Sequence, residues 1–418
     1  MTGRGKTVAV VNCGQLVTLA GPARPRLGEE LQEIGIVSGG AMVVRDGRIV
    51  ATGSYAEIKR EITVEAEIVD AGGCVVTPGF VDAHTHLVFG GNRADEFERR
   101  IAGTTYQEIA AAGGGISSTV EKTREASEDD LLQSARVRLG WMLRSGTTTL
   151  EAKSGYGLSL ESELKILRVL RRLADEGPQR IVATVLAAHT VPREYRENRA
   201  AYLELVTEEI LPVVAEEKLA RYCDAFCDEH AFTVAETRAV FARAKELGLG
   251  LRVHAGQFHD DGSAKMAAEL GATTADHLEC TMADSFGALR EAGVQPVLLP
   301  ASVFCIGRKK YPDARGMIAA GLSPVLATDF NPGSSPVSSL PVVMSLACLE
   351  MQMLPAEALT AVTVNAAWSL GLGREVGTLE TGKSADFLVH EFKDYRELAY
   401  FLGAAAVPRV FVRGERAL

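Results

Sequence analysis

The sequence predicts an α/β protein: a (β/α)8 TIM-like barrel carrying a small β-sandwich domain built from the N- and C-terminal segments. Three observations lead there. Strand-length apolar runs alternate with helical stretches through the middle of the chain, and eight such runs can be counted. Both ends carry short strand-like runs punctuated by turn residues. Several of the middle runs carry histidine or aspartate at their ends, which is where a barrel of this kind keeps its chemistry.

The first segment, 1–76, holds "TVAVVNC", "AMVVRDGRIVATG" and "EAEIVDAGG". "VVRDGRIV" is a hairpin signal, because Asp-Gly suits the two-residue turn that matches strand twist. The opening "MTGRGKTVAVVNCGQLVTLAGPA" mimics a signal peptide, but Asn12 and Gln15 interrupt its apolar run, so it reads as an alternating strand. The barrel, 77–374, takes its eight strands from "GFVDAHTH", "TTTLEAKSG", "IVATVLAAHT", "YCDAFCDE", "GLRVHAG", "TTADHLE", "VQPVLLPA" and "SPVLATDF". Between them "SLESELKILRVLRRLADEG" and "TVAETRAVFARAKELG" have helical periodicity, the second opening on a Thr cap and closing on Gly. The last segment, 375–418, returns to short strands with "VGTLETGKSADFLVHE" and "PRVFVRGERAL", so the two ends form one domain around an inserted middle.

Composition narrows the partners. A formal net charge of −10 opposes nucleic acid and anionic membranes, and any anionic group must be held by local cations. No segment reaches the roughly 20 apolar residues that span a bilayer. Seven scattered cysteines read as reduced thiols, which points to the cytoplasm. Within "CDAFCDEH", Cys223 and Cys227 lack paired C-x-x-C spacing and read as buried core despite His230 nearby; His259, with Asp260 and Asp261, reads as solvent-facing.

The strand ends are harder to explain as packing. His84 and His86, two apart on a strand, face the same way and can grip one metal ion. A lone buried histidine is more often hydrogen-bonded core than ligand. Here, however, His189 ends the third strand, His254 the fifth, His277 falls late in the sixth and Asp329 ends the eighth. Six metal-competent side chains therefore converge on one face.

"DAHTH", "VHAG", "ADHL" and "ATDFNPGS" resemble the amidohydrolase superfamily. The resemblance implies that His84, His86, His254 and Asp329 hold the metal, with His277 beside the metal-bound water as proton acceptor. Binuclear members add a lysine on the fourth strand; "RYCDAFCDE" has none, which implies one divalent ion, zinc or iron (2+ or 3+). More narrowly, "HTHLVFGGNR", "AGGGI", "RSGTTTLEAKSGYGL", "AAHTVP", "ADHLE" and "ATDFNPGSSP" resemble the imidazolonepropionases, hydrolases of histidine degradation that open the cyclic amide of 4-imidazolone-5-propanoate to give N-formimidoyl-L-glutamate. That resemblance covers nearly the whole chain and implies a homodimer.

Opening such a ring needs a hydroxide near neutral pH and a protonated leaving nitrogen. A metal supplies the first; His277 and Asp329 are placed to shuttle the proton, and His189 to stabilise the oxyanion. The substrate's carboxylate needs a cation, and Arg93, in the loop after the first strand, offers a guanidinium fork. "NPGSSPVSSL" reads as a loop leading into a helix amino terminus with free N–H groups; Asn331, Gly333 and Ser334 match the family there. Tyr156 in "KSGYGL" resembles the family tyrosine that contacts the ring. Lys153, on the same strand, reads as a structural ion pair. Ala110–Thr119, rich in glycine, suits a mobile cover.

Three residues after His254, where some members have glutamate, stands Gln257, which can orient substrate but not carry a proton. Gly256 also replaces an expected acidic residue. Two alternatives stand beside this reading: another mononuclear cyclic amidohydrolase or heterocycle aminohydrolase, and a non-catalytic binding protein that keeps the fold.

Overall fold

The computed structural model describes residues 6–104, 108, 114–228, 231–404 and 409–418. In chain order the strands are β1 (Thr7–Val17), β2 (Ile36–Arg45), β3 (Arg48–Ser54), β4 (Glu67–Asp70) and β5 (Val75–Pro78). Then come β6 (Phe80–Asp82), β7 (Thr147–Lys153), β8 (Arg180–Ala188), β9 (Tyr222–Cys227), β10 (Gly250–Ala255), β11 (Thr274–His277), β12 (Gln295–Leu298) and β13 (Val325–Leu326). β14 (Phe387–Val389), β15 (Arg409–Val412) and β16 (Glu415–Arg416) end the chain.

β6 to β13 pair in sequence order, every neighbour parallel, as a (β/α)8 barrel requires. Helices fill the connections because their sequences carry caps and apolar stripes. Thr233 and Glu236 form a reciprocal capping box on Val234–Glu246. Ser159 caps Leu160–Glu176, which buries Ile166, Leu167, Leu170 and Leu173. Each such side chain is worth about 1.5–3 kcal/mol of burial. The seam between β13 and β6 is closed beyond the strands: Thr328 N donates to Asp82 Oδ1 (3.1 Å), Asp329 N to His84 O (3.0 Å) and His86 N to Phe330 O (2.8 Å). The seam that closes the barrel thus also locks three site residues in register.

The remaining strands form one mixed sheet in the order β16-β15-β14-β5-β1-β2-β3, with β4 beside β1. β5 joins the two ends of the chain, lying parallel to β1 and antiparallel to β14. Asp46-Gly47 turns β2 into β3. Asn12, which breaks the apolar pattern of β1, sits where its pairing with β2 slips, with φ 57°. Leu16, Met42, Val44 and the stacked pair Phe387–Phe411, centroids 4.3 Å apart, make the sheet's core. No helix among the described residues is long and apolar enough to cross a membrane.

Candidate active site

β6 ends at Asp82, so His84 and His86 stand just past its hydrogen-bonded part. The chain there is still strand-like and pinned: Thr85 Oγ1 donates to Glu151 O (2.7 Å) and Thr85 bridges Phe330. The two rings lie 5.3 Å apart, and the His254 ring is 4.5 Å from that of His84 and 5.5 Å from that of His86. Asp329 Oδ1 is 3.5 Å from Nε2 of both His84 and His86. All four side chains are buried.

These residues fit a metal ion. His84 Nδ1 faces Asp276 Oδ2 at 2.6 Å and His254 Nδ1 faces Asp224 Oδ1 at 3.1 Å, so each Nδ1 is the donor and each Nε2 keeps its lone pair. Both Nε2 atoms are buried with no hydrogen-bond partner, a costly state unless something is coordinated. Burial, then the Lys153 charge, holds His84 well below the usual imidazole range, and burial also lowers His86. Burial pushes the Asp329 carboxyl up, but His86 and His277 outweigh it and hold the group low. Neutral imidazoles with an ionised carboxylate suit a divalent transition metal. Two overlapping groups, His84–His86–Asp329 and His84–His254–His277, each bring their ligand atoms within 4.8 Å of one another.

His277 ends β11, its ring 5.8 Å from His84 and 5.4 Å from His254. Its Nδ1 lies 3.2 Å from Glu279 Oε1, which leaves Nε2 for the site. Burial disfavours the imidazolium, yet Glu279 and Asp329 more than offset that and raise its pKa. Backbone φ is positive at His277 (78°), Leu278 (68°) and Asp329 (51°), a conformation costly for these side chains and concentrated at functional sites.

His189 follows β8 and donates from Nδ1 to Gly155 O (2.9 Å), with its ring stacked 5.3 Å from that of His86. Tyr156 is buried, its ring 5.4 Å from His189 and 5.9 Å from His86. The loop carrying it is held by a residue that pattern reading missed. Glu163 Oε1 accepts from the backbone N–H of Gly157 and Leu158, both at 2.8 Å, and of Gly155 at 3.2 Å. Arg138 was missed likewise: it donates to Leu87 O (3.1 Å) and Phe89 O (2.9 Å), with its Cζ 3.4 Å above the Phe89 ring, and so fixes the loop leading to Arg93.

Arg93 donates from Nε to Thr119 Oγ1 (2.8 Å). Its guanidinium lies so close to Gly333 that a Cβ there would sit 2.1 Å from Nη1. Any larger residue at 333 would displace Arg93. The "NPGS" loop departs from expectation. It does lead into a helix, which begins at Leu340, but the N–H groups of Gly333 (2.8 Å) and Ser334 (2.7 Å) are not free: both are spent on Asn331 Oδ1. An Asx turn has consumed the donors that an anion would need. Ser334 Oγ instead lies 3.4 Å from Asp329 Oδ2, and Asn331 Nδ2 donates to Ser334 Oγ at 2.8 Å.

Gln257 is buried two residues past β10. Gly256 has a structural reason to be glycine: its φ is +61°, and a Cβ would meet Thr281 Oγ1 at 2.4 Å. Of the glycine-rich stretch Ala110–Thr119, residues 110–113 lie outside the described residues; Ile116 begins a helix running to Glu125, and Thr119 on it holds Arg93. Cys223 and Cys227 are buried core on β9, and burial pushes the Cys227 thiol up to about 12. His230 lies outside the described residues. His259 is half-exposed beside Asp228 at 3.2 Å.

Beneath the histidines runs a buried ionic layer. Lys153 Nζ lies 2.7 Å from Glu151 Oε1, 2.8 Å from Asp224 Oδ2 and 3.7 Å from Asp276 Oδ2. Arg252 approaches Glu151 at 3.9 Å and Asp276 at 3.7 Å. Glu151 and Lys153 stand i, i+2 in a fully buried strand, as do Arg252 and His254 in a largely apolar one. That spacing is the signal by which the layer was findable.

An eight-stranded parallel barrel whose mouth gathers five histidines and an aspartate is the architecture of a metal-dependent hydrolase. The chain matches the Amidohydrolase family over residues 75–417 and the bacterial Imidazolonepropionase-like composite domain over residues 40–61. It is 57% identical over 407 residues to the imidazolonepropionase of Solibacter usitatus, covering 97% of each chain. To that of Symbiobacterium thermophilum it is 46% identical, covering 97% of this chain and 96% of the relative. Among solved structures it superposes on 5-methylcytosine deaminase from Klebsiella pneumoniae (TM-score 0.74, 19% identity, 98% and 97% coverage) and on a zinc-bound adenosine deaminase from Xanthomonas campestris (TM-score 0.71, 18% identity, 98% and 92% coverage), likenesses of fold alone. The chain belongs to the imidazolonepropionases, within the amidohydrolase family of hydrolases that act on cyclic-amide C–N bonds.

Proposed function

We propose that the protein hydrolyses 4-imidazolone-5-propanoate to N-formimidoyl-L-glutamate in histidine degradation, using one divalent metal held by His84, His86, His254 and Asp329. The observation that carries this is the pair of buried Nε2 atoms of His84 and His254 that have no hydrogen-bond partner, their rings 4.5 Å apart and the Nε2 of His84 3.5 Å from Asp329 Oδ1, in a chain of this family. Zinc and iron both suit imidazole and carboxylate donors. When bound, the metal supplies a hydroxide at neutral pH and polarises the ring carbonyl.

The protein's own groups do the rest. His277 and Asp329 accept the proton of the attacking water and return it to the ring nitrogen as the C–N bond breaks. His189 has its Nδ1–H committed to Gly155 O, so to stabilise the developing oxyanion its Nε2 must carry a second proton. Burial and the neighbouring His86 and His254 hold its pKa well below the usual imidazole range, and the negative charge of the oxyanion is what would draw the proton there. Arg93, lying over Gly333, pairs with the propanoate, and Ser334 and Asn331 shape that end of the pocket. Tyr156 packs against the ring, and Gln257 orients it by hydrogen bonds.

Free thiols and the net charge of −10 support a cytoplasmic enzyme that binds neither nucleic acid nor membrane, and the family supports a homodimer. The test follows ring absorbance on adding imidazolonepropanoate to metal-loaded protein. Loss of absorbance with release of N-formimidoyl-L-glutamate is expected. No turnover with one metal bound per chain would overturn the assignment.

A further inference from the structure

Lys153 takes no part in the reaction outlined above, yet it is completely buried at the centre of the ionic layer. Its ammonium touches the carboxylates of both Asp224, at 2.8 Å, and Asp276, at 3.7 Å. Those two carboxylates are the same groups that hold the Nδ1 atoms of His254 (3.1 Å) and His84 (2.6 Å). We propose that Lys153 is a positioning residue for the metal site: by bridging Asp224 and Asp276, it sets the tautomer and tilt of His254 and His84 together. This rests on the metal-site reading above.

The geometry gives the bridge a specific job. Asp224 divides its oxygens, Oδ1 to His254 and Oδ2 to Lys153, so the ammonium fixes the rotation that brings Oδ1 to the imidazole. Asp276 Oδ2 serves His84, Lys153 and, at 3.7 Å, Arg252. Arg252 cannot replace Lys153. It feels the Asp224 charge but forms no ion pair with it within 4 Å, and its guanidinium is already tied to Ala83 O (2.8 Å) and Ser369 O (3.0 Å). Three carboxylates, Glu151, Asp224 and Asp276, thus face two cations, and only Lys153 touches all three within 4 Å. Without the ammonium, nothing holds Asp224 Oδ2, and Asp276 Oδ2 loses one of its two cations, so both carboxylates are free to rotate. A rotated acid no longer fixes the Nδ1–H form and tilt of its histidine. Groups that orient metal-bound histidines in this way typically account for 10–100-fold of metal affinity.

The experiment measures Zn2+ affinity of metal-stripped protein by competition with a chromophoric chelator, together with the visible spectrum of the Co2+-loaded form. Wild type, Lys153→Met, Lys153→Arg and Phe387→Leu are compared. Phe387→Leu loosens the distant small sheet and reports what general destabilisation does. The expected result is about 10–100-fold weaker Zn2+ binding for Lys153→Met, an altered Co2+ spectrum, and wild-type affinity for Phe387→Leu. Lys153→Met binding within threefold of wild type, or losing no more affinity than Phe387→Leu, would overturn the proposal. Should Lys153→Met fail to fold, Lys153→Arg decides: it keeps the charge but misplaces it, so weaker binding with a changed Co2+ spectrum supports the bridge, and a wild-type profile overturns it. If wild type itself binds no metal, the metal-site reading fails instead, a result distinct from any of these.

Discussion

Replacing Glu163 with alanine removes the acceptor shared by three backbone N–H groups on either side of Tyr156. Gly155, Gly157 and Leu158 donate to it at 3.2, 2.8 and 2.8 Å, in a pocket closed to solvent. Each buried donor left without a partner costs about 1–3 kcal/mol, so the loop should lose roughly 3–9 kcal/mol of local stability, less whatever water entering the new space returns. The loop holds two groups of the site at once, because Gly155 also supplies the carbonyl that orients His189. Turnover should therefore fall, by about 100-fold or more, while bound metal stays. Glu163→Gln keeps one acceptor oxygen and should cost only about 1 kcal/mol. Hydrogen exchange of a peptide covering residues 154–159 is the direct assay: the alanine variant should lose about 100-fold or more of its protection and the glutamine variant under tenfold. Protection in Glu163→Ala within tenfold of wild type would refute the argument that this carboxylate organises the loop.

Arg93→Ala should raise KM about 100-fold with a smaller change in kcat, since the lost charge-assisted contact lies away from the reacting carbonyl; steady-state kinetics giving KM within threefold of wild type would remove Arg93 from the carboxylate site. Stripping the metal should abolish activity and lower thermal stability. Elemental analysis of the restored enzyme should find one equivalent per chain, and two would contradict the ligand count. Asp82 offers a test by pH. Burial lifts its carboxyl to about 7, although bonds from Thr328 partly offset the effect, so the folded chain keeps a proton that the unfolded chain releases. Stability should consequently fall as pH rises from about 4 to 7, by at most about 4 kcal/mol. Asp82→Asn should show a flatter profile in denaturant titrations across that range, and an unchanged slope would rule the linkage out.

Strand periodicity carried most of the fold and the convergence of six candidate side chains on one face; which four of them would hold a metal came from the family resemblance. His254 and Asp329 were legible because each closes an apolar run, and a barrel sends such positions to one mouth. What stayed hidden depends on register or on local turns. Asp224 and Asp276 look like incidental acids until β9, β10 and β11 are aligned, when Asp224 pairs with Arg252 and Asp276 with His254 across the sheet. Glu163 lies in a helix, six residues beyond Gly157, and nothing in helical periodicity says that it folds back onto a loop. The donors of "NPGS" were misjudged because an asparagine at the head of a turn competes for the same N–H groups that an anion would use. Gly256 read only as the replacement of an expected acidic residue; its positive φ and the nearby Thr281 make it a requirement of the backbone.

The strained residues explain how one strand end can serve two roles. Strict alternation would send Asp276 and His277 to opposite faces of β11, yet Asp276 reaches His84 Nδ1 at 2.6 Å while the His277 ring sits 5.8 Å from the same imidazole. The left-handed backbone at His277 and Leu278 accounts for this, because it ends the strand in a turn that brings the second side chain round to the first. Asp329 shows the same device at the eighth strand: its φ of 51° accompanies a backbone N–H given to His84 O and a carboxylate facing His84 and His86. Each such residue costs of order 1–3 kcal/mol, which the barrel seam and the ionic layer must offset. Alternation alone would put either Asp276 or His277 at this mouth. The turn lets consecutive residues supply both, one holding His84 Nδ1 and the other joining the cluster of imidazoles.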